Sequence, residues 1–200
     1  MVIQLAVLFA SIIIHEVAHG YVAWRLGDPT ARYANRITRN PLAHIDLFGS
    51  ILLPLILVLT HSPVLLGWAK PVPFNPAYFR DPKKGIMMVG AAGPLTNLTL
   101  AAAAAVVFRV LAPDPPGMAA FALSTACAVN VVLAIFNLVP IPPLDGSRVL
   151  LGILPPELQR FYFTLERFGF VIVFVLLWIG ALDFVLDPIN RLVLRFLLGR

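Results

Sequence analysis

Long apolar blocks at residues 2–24, 47–66, 86–111, 118–139 and 168–186 constrain this chain more than any other feature. Each is close to or above the roughly 20 residues of helix that cross a bilayer core. Hydrophobic residues make up 60% of the sequence and charged residues only 12%, against about 45–50% and about 25% in a soluble domain. The chain is therefore expected to be an all-α polytopic membrane protein whose constant partner is the lipid bilayer. Its net charge of +5 comes from basic residues in short segments beside the apolar blocks. They form no stripe with interleaved aromatics, so no nucleic-acid partner is expected, and membrane orientation explains them better.

The first block closes on Arg25 and Gly27-Asp28-Pro29, which is helix-stop chemistry. It has neither the basic leader nor the small-residue cleavage site of a signal peptide, and reads as a retained span. Gly49, Pro54, His61 and Pro63 interrupt the second block, which is either a full crossing or a re-entrant segment, a short β-hairpin included. The Pro/Gly link at 113–117 is short enough to make 86–111 and 118–139 antiparallel neighbours. After the latter comes Asn137-Leu138-Val139-Pro140-Ile141-Pro142-Pro143-Leu144-Asp145-Gly146. Its prolines forbid continued helix and favour extended backbone, which at membrane depth must be buried or line a cavity. Residues 168–186 read as a final span. The tail 188–200, alternating Arg191, Arg195 and Arg200 with apolar residues, reads as an amphipathic interfacial helix. The expectation is one domain over 1–200, with about four full transmembrane helices. Residues 1–152 would form the catalytic core, and 153–200 the last span and tail. The single cysteine, Cys127, is expected to pack rather than pair. No oligomeric state is read from the sequence.

Within the first block stands His15-Glu16-Val17-Ala18-His19. On a helix the two histidines lie one turn apart on one face, where both imidazoles can reach one metal ion. Glu16 beside them can deprotonate a metal-bound water. A carboxylate and two histidines are costly inside a span, so the default reading is functional. Catalytic zinc usually takes a third protein ligand. Asp145 is the candidate, the one acid in the Pro-rich break; the competing reading is an ordinary turn aspartate before a glycine.

Topology decides between these. The histidines and Asp145 can meet only if both chain breaks lie on one side of the membrane, and counting every block as a full crossing puts them on opposite sides. A re-entrant 47–66 repairs the parity. Most basic residues then fall on the side of the metal, which makes that side the cytoplasm. With Arg25 at the boundary, His19 lies about 9 Å deep and His15 about 15 Å deep. His44 and Asp46 are expected to form a local hydrogen-bonding pair that secures the re-entrant segment, and His61 is read as incidental.

HEVAH and NLVPIPPLDG, in this order and separation, resemble the two hallmark motifs of the site-2 proteases, a family of intramembrane zinc metalloproteases. GAAGPLTN, residues 90–97, resembles a third and less specific element. The segment from Gly27 to Ser50 looks like the compact bacterial and archaeal branch, without a PDZ or CBS domain. The likeness covers about residues 11–152. It implies one zinc ion on His15, His19 and Asp145, and Glu16 as general base. It further implies substrate-positioning or oxyanion roles for Asn97 and Asn137, with helix packing as an equal competitor for both. The implied activity is hydrolysis of transmembrane protein substrates in a cell membrane. Extended backbone at 140–144, or in the re-entrant block, would bind the unwound strand by β-addition. The alternative is a non-hydrolytic metal-binding or transport protein, for which paired repeats would be expected and are not seen.

Overall fold

The computed structural model describes residues 2–38, 40–61, 68–111 and 117–199. Arg39, Pro63 and the prolines of the 113–117 link, all used in the sequence reading, lie outside them. The helices are α1 (Val2–Arg25), α2 (Thr30–Tyr33), α3 (Leu53–Leu59), α4 (Pro82–Leu111), α5 (Met118–Asn137), α6 (Asp145–Leu151), α7 (Pro156–Glu166), α8 (Gly169–Trp178) and α9 (Ala181–Leu198). No strand occurs among the described residues, so the fold is all-α as expected.

Helix α1 buries Ser11, His15, His19 and Ala23, a stripe at every fourth residue. It turns Leu5, Phe9, Ile14, Tyr21 and Trp24 outward, where lipid replaces a protein partner. Helix α4 answers with Gly85, Val89, Gly93, Asn97, Ala101 and Ala105, again every fourth residue and buried. Such small residues let neighbouring backbones come close, and α1, α5, α6 and α9 all pack on α4. Cys127 is buried with Ala101, Ala105 and Val131 between α4 and α5, as expected of a packing cysteine. A second cluster joins Leu144, Val173, Leu182 and Leu186 under the end of α5.

Helices α1, α4 and α5 are each long and apolar enough to cross a membrane. Helices α7 and α8, bent by 69° at their junction, make a fourth, broken span if taken together. The final span expected over 168–186 needs correction: the helix stops at Trp178, and Gly180 takes φ 72° before α9 begins. Left-handed backbone costs glycine little and other residues much, so this glycine breaks what hydropathy joins. The amphipathic helix then starts at Ala181 and runs through Pro188 to Leu198.

The two ends of the interrupted block lie side by side. A π-helical stretch, Leu47–Leu52, leads directly into α3, and at about 1.5 Å per residue the two together rise roughly 20 Å, short of the ~30 Å core. The Trp68 N–H then donates to the Gly49 carbonyl at 3.1 Å and the Lys70 N–H to the His44 carbonyl at 2.9 Å. The chain has come back to the face by which it entered. Its described part is helical, so the β-hairpin form of the segment is not adopted there. The expected His44–Asp46 pair is also a correction. His44 Nε2 bonds the Thr38 carbonyl and its Nδ1 has no partner, while Asp46 accepts from the Gly49 N–H. Asp46 thus caps the π-helical stretch from its own side chain. Exposed His61 sits in the turn after α3 at φ 52°.

Residues 138–144, expected to be extended, instead fold into successive turns. The Ile141 N–H reaches Val139 O at 2.8 Å and the Leu144 N–H reaches Ile141 O at 3.0 Å. Proline excludes helix here without demanding strand. The coiling brings the N-terminal end of α6, and Asp145 with it, against α4. A Cβ at Gly90 would lie 2.7 Å from Arg148 Cβ and 3.0 Å from the Asp145 carbonyl, so only glycine permits this approach.

Candidate metal centre

The one-turn spacing of His15 and His19 aims both imidazoles at the same point, and α6 delivers the Asp145 carboxylate to it. His15 Nε2 stands 3.0 Å from Asp145 Oδ2, His19 Nε2 stands 3.1 Å from the same oxygen, and the two Nε2 atoms are 3.0 Å apart. All three residues are buried. Among the described residues they are the one group of His, Cys, Asp or Glu close enough to share an ion. The HEVAH end of α1 and the start of α6 therefore lie at one level, which is what the parity argument requires.

Hydrogen bonds on the far side of each ring decide what the three atoms can do. His19 Nδ1 is 2.6 Å from the Val89 carbonyl, and a carbonyl only accepts, so the proton is on Nδ1 and Nε2 presents a lone pair. His15 Nδ1 likewise meets the Asn97 amide oxygen at 2.5 Å. Arg148 Nη1 donates to Asp145 Oδ1 at 3.1 Å, which leaves Oδ2 for the cluster. With Nδ1 of each ring carrying a proton, the neutral rings turn their Nε2 lone pairs toward Asp145 Oδ2, and three potential ligand atoms converge in an arrangement that a cation among them stabilises. Zinc bonds of about 2.0–2.1 Å in tetrahedral geometry place ligand atoms ~3.3 Å apart, close to the triangle formed here. Two imidazoles and a carboxylate also suit zinc in kind.

Glu16 stands outside the triangle. It borders the same cavity, about 460 Å³ in volume, and its Oε2 accepts the Val72 N–H at 3.0 Å. That amide belongs to a non-helical strap, 68–75, pinned by Arg36, whose Nη2 reaches the Lys70 carbonyl at 2.5 Å and the Pro71 carbonyl at 3.2 Å. The cavity has two characters. The polar side chains of His15, Glu16, His19, Asn137, Asp145 and Arg148 line it together with the apolar ones of Ile12, Leu133, Phe136, Phe170, Val173 and Trp68. Asn137 donates its Nδ2 to the Leu133 carbonyl and still faces the cavity. Asn97 does not line it; fully buried, it lies behind His15 and bonds Asn130 as well.

Several site residues escaped the sequence reading. Arg148 and the Val72 amide carry no motif signal. Asn130 did offer one, as an amide inside an otherwise apolar span. Gly93 had been noted only as part of GAAGPLTN. A Cβ there would fall 2.5 Å from His15 Cε1, His15 Nε2 and His19 Nε2, so its hydrogen is what admits both rings.

Residues 115–179 match the profile of peptidase family M50. YwhC of Bacillus subtilis (strain 168), named as a zinc metalloprotease, is 38% identical over 189 residues, covering 90% of this chain and 82% of its own. Rip2 of Mycolicibacterium smegmatis, named in the same way, is 31% identical over 173 residues, covering 86% of this chain and 65% of its own. A zinc metalloprotease of Methanocaldococcus jannaschii is 26% identical over 147 residues, 33% of its length. No solved structure matches the chain. Likeness to YwhC over nearly the whole of this chain and most of that protein places the chain in peptidase family M50, the site-2 protease family that its motifs resemble.

Proposed function

We propose that this chain hydrolyses peptide bonds within or beside the transmembrane segments of other membrane proteins. One zinc ion per chain is held by Nε2 of His15, Nε2 of His19 and Oδ2 of Asp145, and Glu16 is the general base. The observation that carries this reading is the convergence of three acceptors, each fixed from behind, next to a carboxylate that is not one of them. Zinc on these ligands supplies a Lewis acid for the scissile carbonyl and lowers the pKa of water toward about 7. Glu16, next to His15 on α1, takes the water proton on its carboxylate and returns it to the leaving nitrogen. Storage or transport of a metal has no use for this unligated carboxylate, and hydrolysis does.

Asn137, on the cavity wall, is placed to offer polar contacts to substrate backbone, whereas Asn97 acts on His15. The apolar lining residues Leu133, Phe136, Phe170 and Val173 accept side chains of a locally unwound substrate. Arg25, Arg32, Arg36, Arg80, Lys83 and Lys84 gather at the end of the bundle that carries the site. Arg109 bonds the Phe196 carbonyl at the other end. By the positive-inside rule the site faces the cytoplasm, in a cell membrane.

The test is metal analysis and cleavage of a single-span peptide by the purified chain. Glu16→Gln is expected to keep one zinc per chain and lose cleavage by about 100-fold or more. Asp145→Ala is expected to lose the metal. Cleavage retained by Glu16→Gln removes that residue from the mechanism, and unchanged zinc in Asp145→Ala removes the proposed third ligand.

A further inference from the structure

Behind His15 lies a chain of hydrogen bonds that no part of the metalloprotease chemistry requires by itself. Asn97 Nδ2 donates to Asn130 Oδ1 at 2.7 Å. Asn130 Nδ2 donates to Ser11 Oγ and to the Ala126 carbonyl, each at 2.9 Å. All three side chains are buried, on α1, α4 and α5.

The order of donors along this chain is dictated from its far end. The Ala126 carbonyl can only accept, so the Asn130 atom facing it is the NH₂ group. The Asn130 oxygen must then face Asn97, whose facing atom must in turn be its own NH₂. The Asn97 oxygen is left for His15, which therefore carries its proton on Nδ1 and keeps the Nε2 lone pair for the metal. His19 receives the same instruction directly from the Val89 carbonyl. An amide reversed at Asn97 would present NH₂ to His15 Nδ1, move the ring proton to Nε2 and cap the ligand atom.

We propose that Asn130, held by Ser11 and the Ala126 carbonyl, is a positioning residue that fixes the ligating tautomer of His15 through the Asn97 amide. The inference rests on the metal-centre reading above. Mere packing of α4 against α5 would be indifferent to which end of either amide is which. Tautomer control is not, and it bears on metal affinity rather than on helix assembly. Partners of this kind typically change metal affinity by about 10- to 100-fold.

The experiment measures zinc affinity by chelator competition, and the visible spectrum of the cobalt(II)-loaded protein, for the full chain in micelles. Asn130→Leu, which abolishes the acceptor for Asn97, is expected to weaken zinc binding at least ~10-fold and to alter the cobalt spectrum. Asn130→Asp, neutral at this buried position with its O–H donating to the Ala126 carbonyl, keeps an acceptor oxygen for Asn97 and is expected to stay within ~3-fold of the parent. Asn97→Asp offers His15 an acceptor oxygen in either orientation, so adding Asn130→Leu to it is expected to change affinity by less than ~3-fold. Equal losses from Asn130→Leu in both backgrounds mean that packing is at work and overturn the proposal. So does unchanged affinity in the single variant. Should Asn130→Leu not fold, Asn130→Ala against Asn130→Asp decides by the same criterion. A parent protein that binds neither zinc nor cobalt refutes the metal centre itself, an outcome distinct from failure at Asn130.

Discussion

Gly93→Ala subjects the metal centre to a small steric change of known position. The added methyl carbon falls 2.5 Å from both ligating nitrogens, His15 Nε2 and His19 Nε2. Ordinary contact between such atoms needs roughly 3.5 Å, so the rings or α4 must give by about 1 Å. Neither ring is free to do so, because His15 is held by Asn97 at 2.5 Å and His19 by the Val89 carbonyl at 2.6 Å. Metal sites tolerate ligand displacements of about 0.2 Å, several-fold less than the displacement imposed. Overpacking should cost about 1–3 kcal/mol of bundle stability, which leaves a folded protein. Zinc affinity should fall beyond the ~100-fold upper range typical of outer-shell substitutions, since a ligand itself is displaced. Chelator competition in micelles measures the affinity and circular dichroism checks the fold. Gly117→Ala, whose Cβ meets nothing within 4 Å, serves as the control. A folded Gly93→Ala protein that binds zinc within ~3-fold of the parent would refute the claim that α4 sets the approach of both rings.

Two further outcomes concern the surroundings of the site. Arg36→Met removes the guanidinium that holds the Lys70 and Pro71 carbonyls, and with it the anchor of the Val72 amide on Glu16. Zinc content should be unchanged while kcat on a peptide substrate falls about 10- to 100-fold; an unaltered kcat would separate the strap from the base. Asp28 is fully buried and accepts from Thr30 N, Thr30 Oγ1 and Asn75 N. Asp28→Ala strands those donors and should cost ~2–4 kcal/mol, seen as a lower midpoint in thermal scans at fixed rate with zinc saturating, and an unshifted midpoint would contradict it.

What the sequence disclosed follows from where polarity is expensive. His15, Glu16 and His19 stand out because an apolar span tolerates them only for a purpose, and the parity argument then needed a re-entrant 47–66 to reach Asp145. The same cost argument, applied to Asn130, would have found the chain behind His15, but a single amide in a span also serves packing and draws no attention without a partner. Backbone donors and acceptors are silent in sequence. Nothing in Val72, Val89 or Ala126 as residue types tells that their amide or carbonyl groups orient Glu16, His19 and Asn130. The break at Gly180 was missed for another reason. Glycine is common inside transmembrane helices, and only the left-handed φ distinguishes a break from a small packing residue. At 138–144 the prolines favour extended backbone by themselves, but all they require is the absence of helix.

One face of α4 controls every residue of the proposed metal centre. Val89 orients His19 through its carbonyl, Gly93 admits both imidazoles, Asn97 orients His15, and Gly90 lets α6 bring Asp145 in. These four residues lie on little more than two turns of a helix packed against α1, α5 and α6, so shifting any ligand means shifting that packing. The other wall of the cavity is held differently. The strap meets α8 through the Trp68 and Phe170 rings, 4.9 Å apart edge to face, and it meets α1 through the Val72 amide on Glu16. An aromatic pair adds about 0.5–1.5 kcal/mol beyond its area, and a hydrogen bond to a charged group about 1.5–3. Arg36 and the amides of Trp68, Lys70 and Asn75 hold the strap as well, but none of these contacts involves His15, His19 or Asp145. Widening the cavity on that side thus spares the proposed metal centre, while widening it between α1 and α4 dismantles that centre. The strap is therefore the side on which the cavity can open without loss of the three converging groups, and Glu16, which accepts the Val72 amide, is the residue that would feel such an opening first.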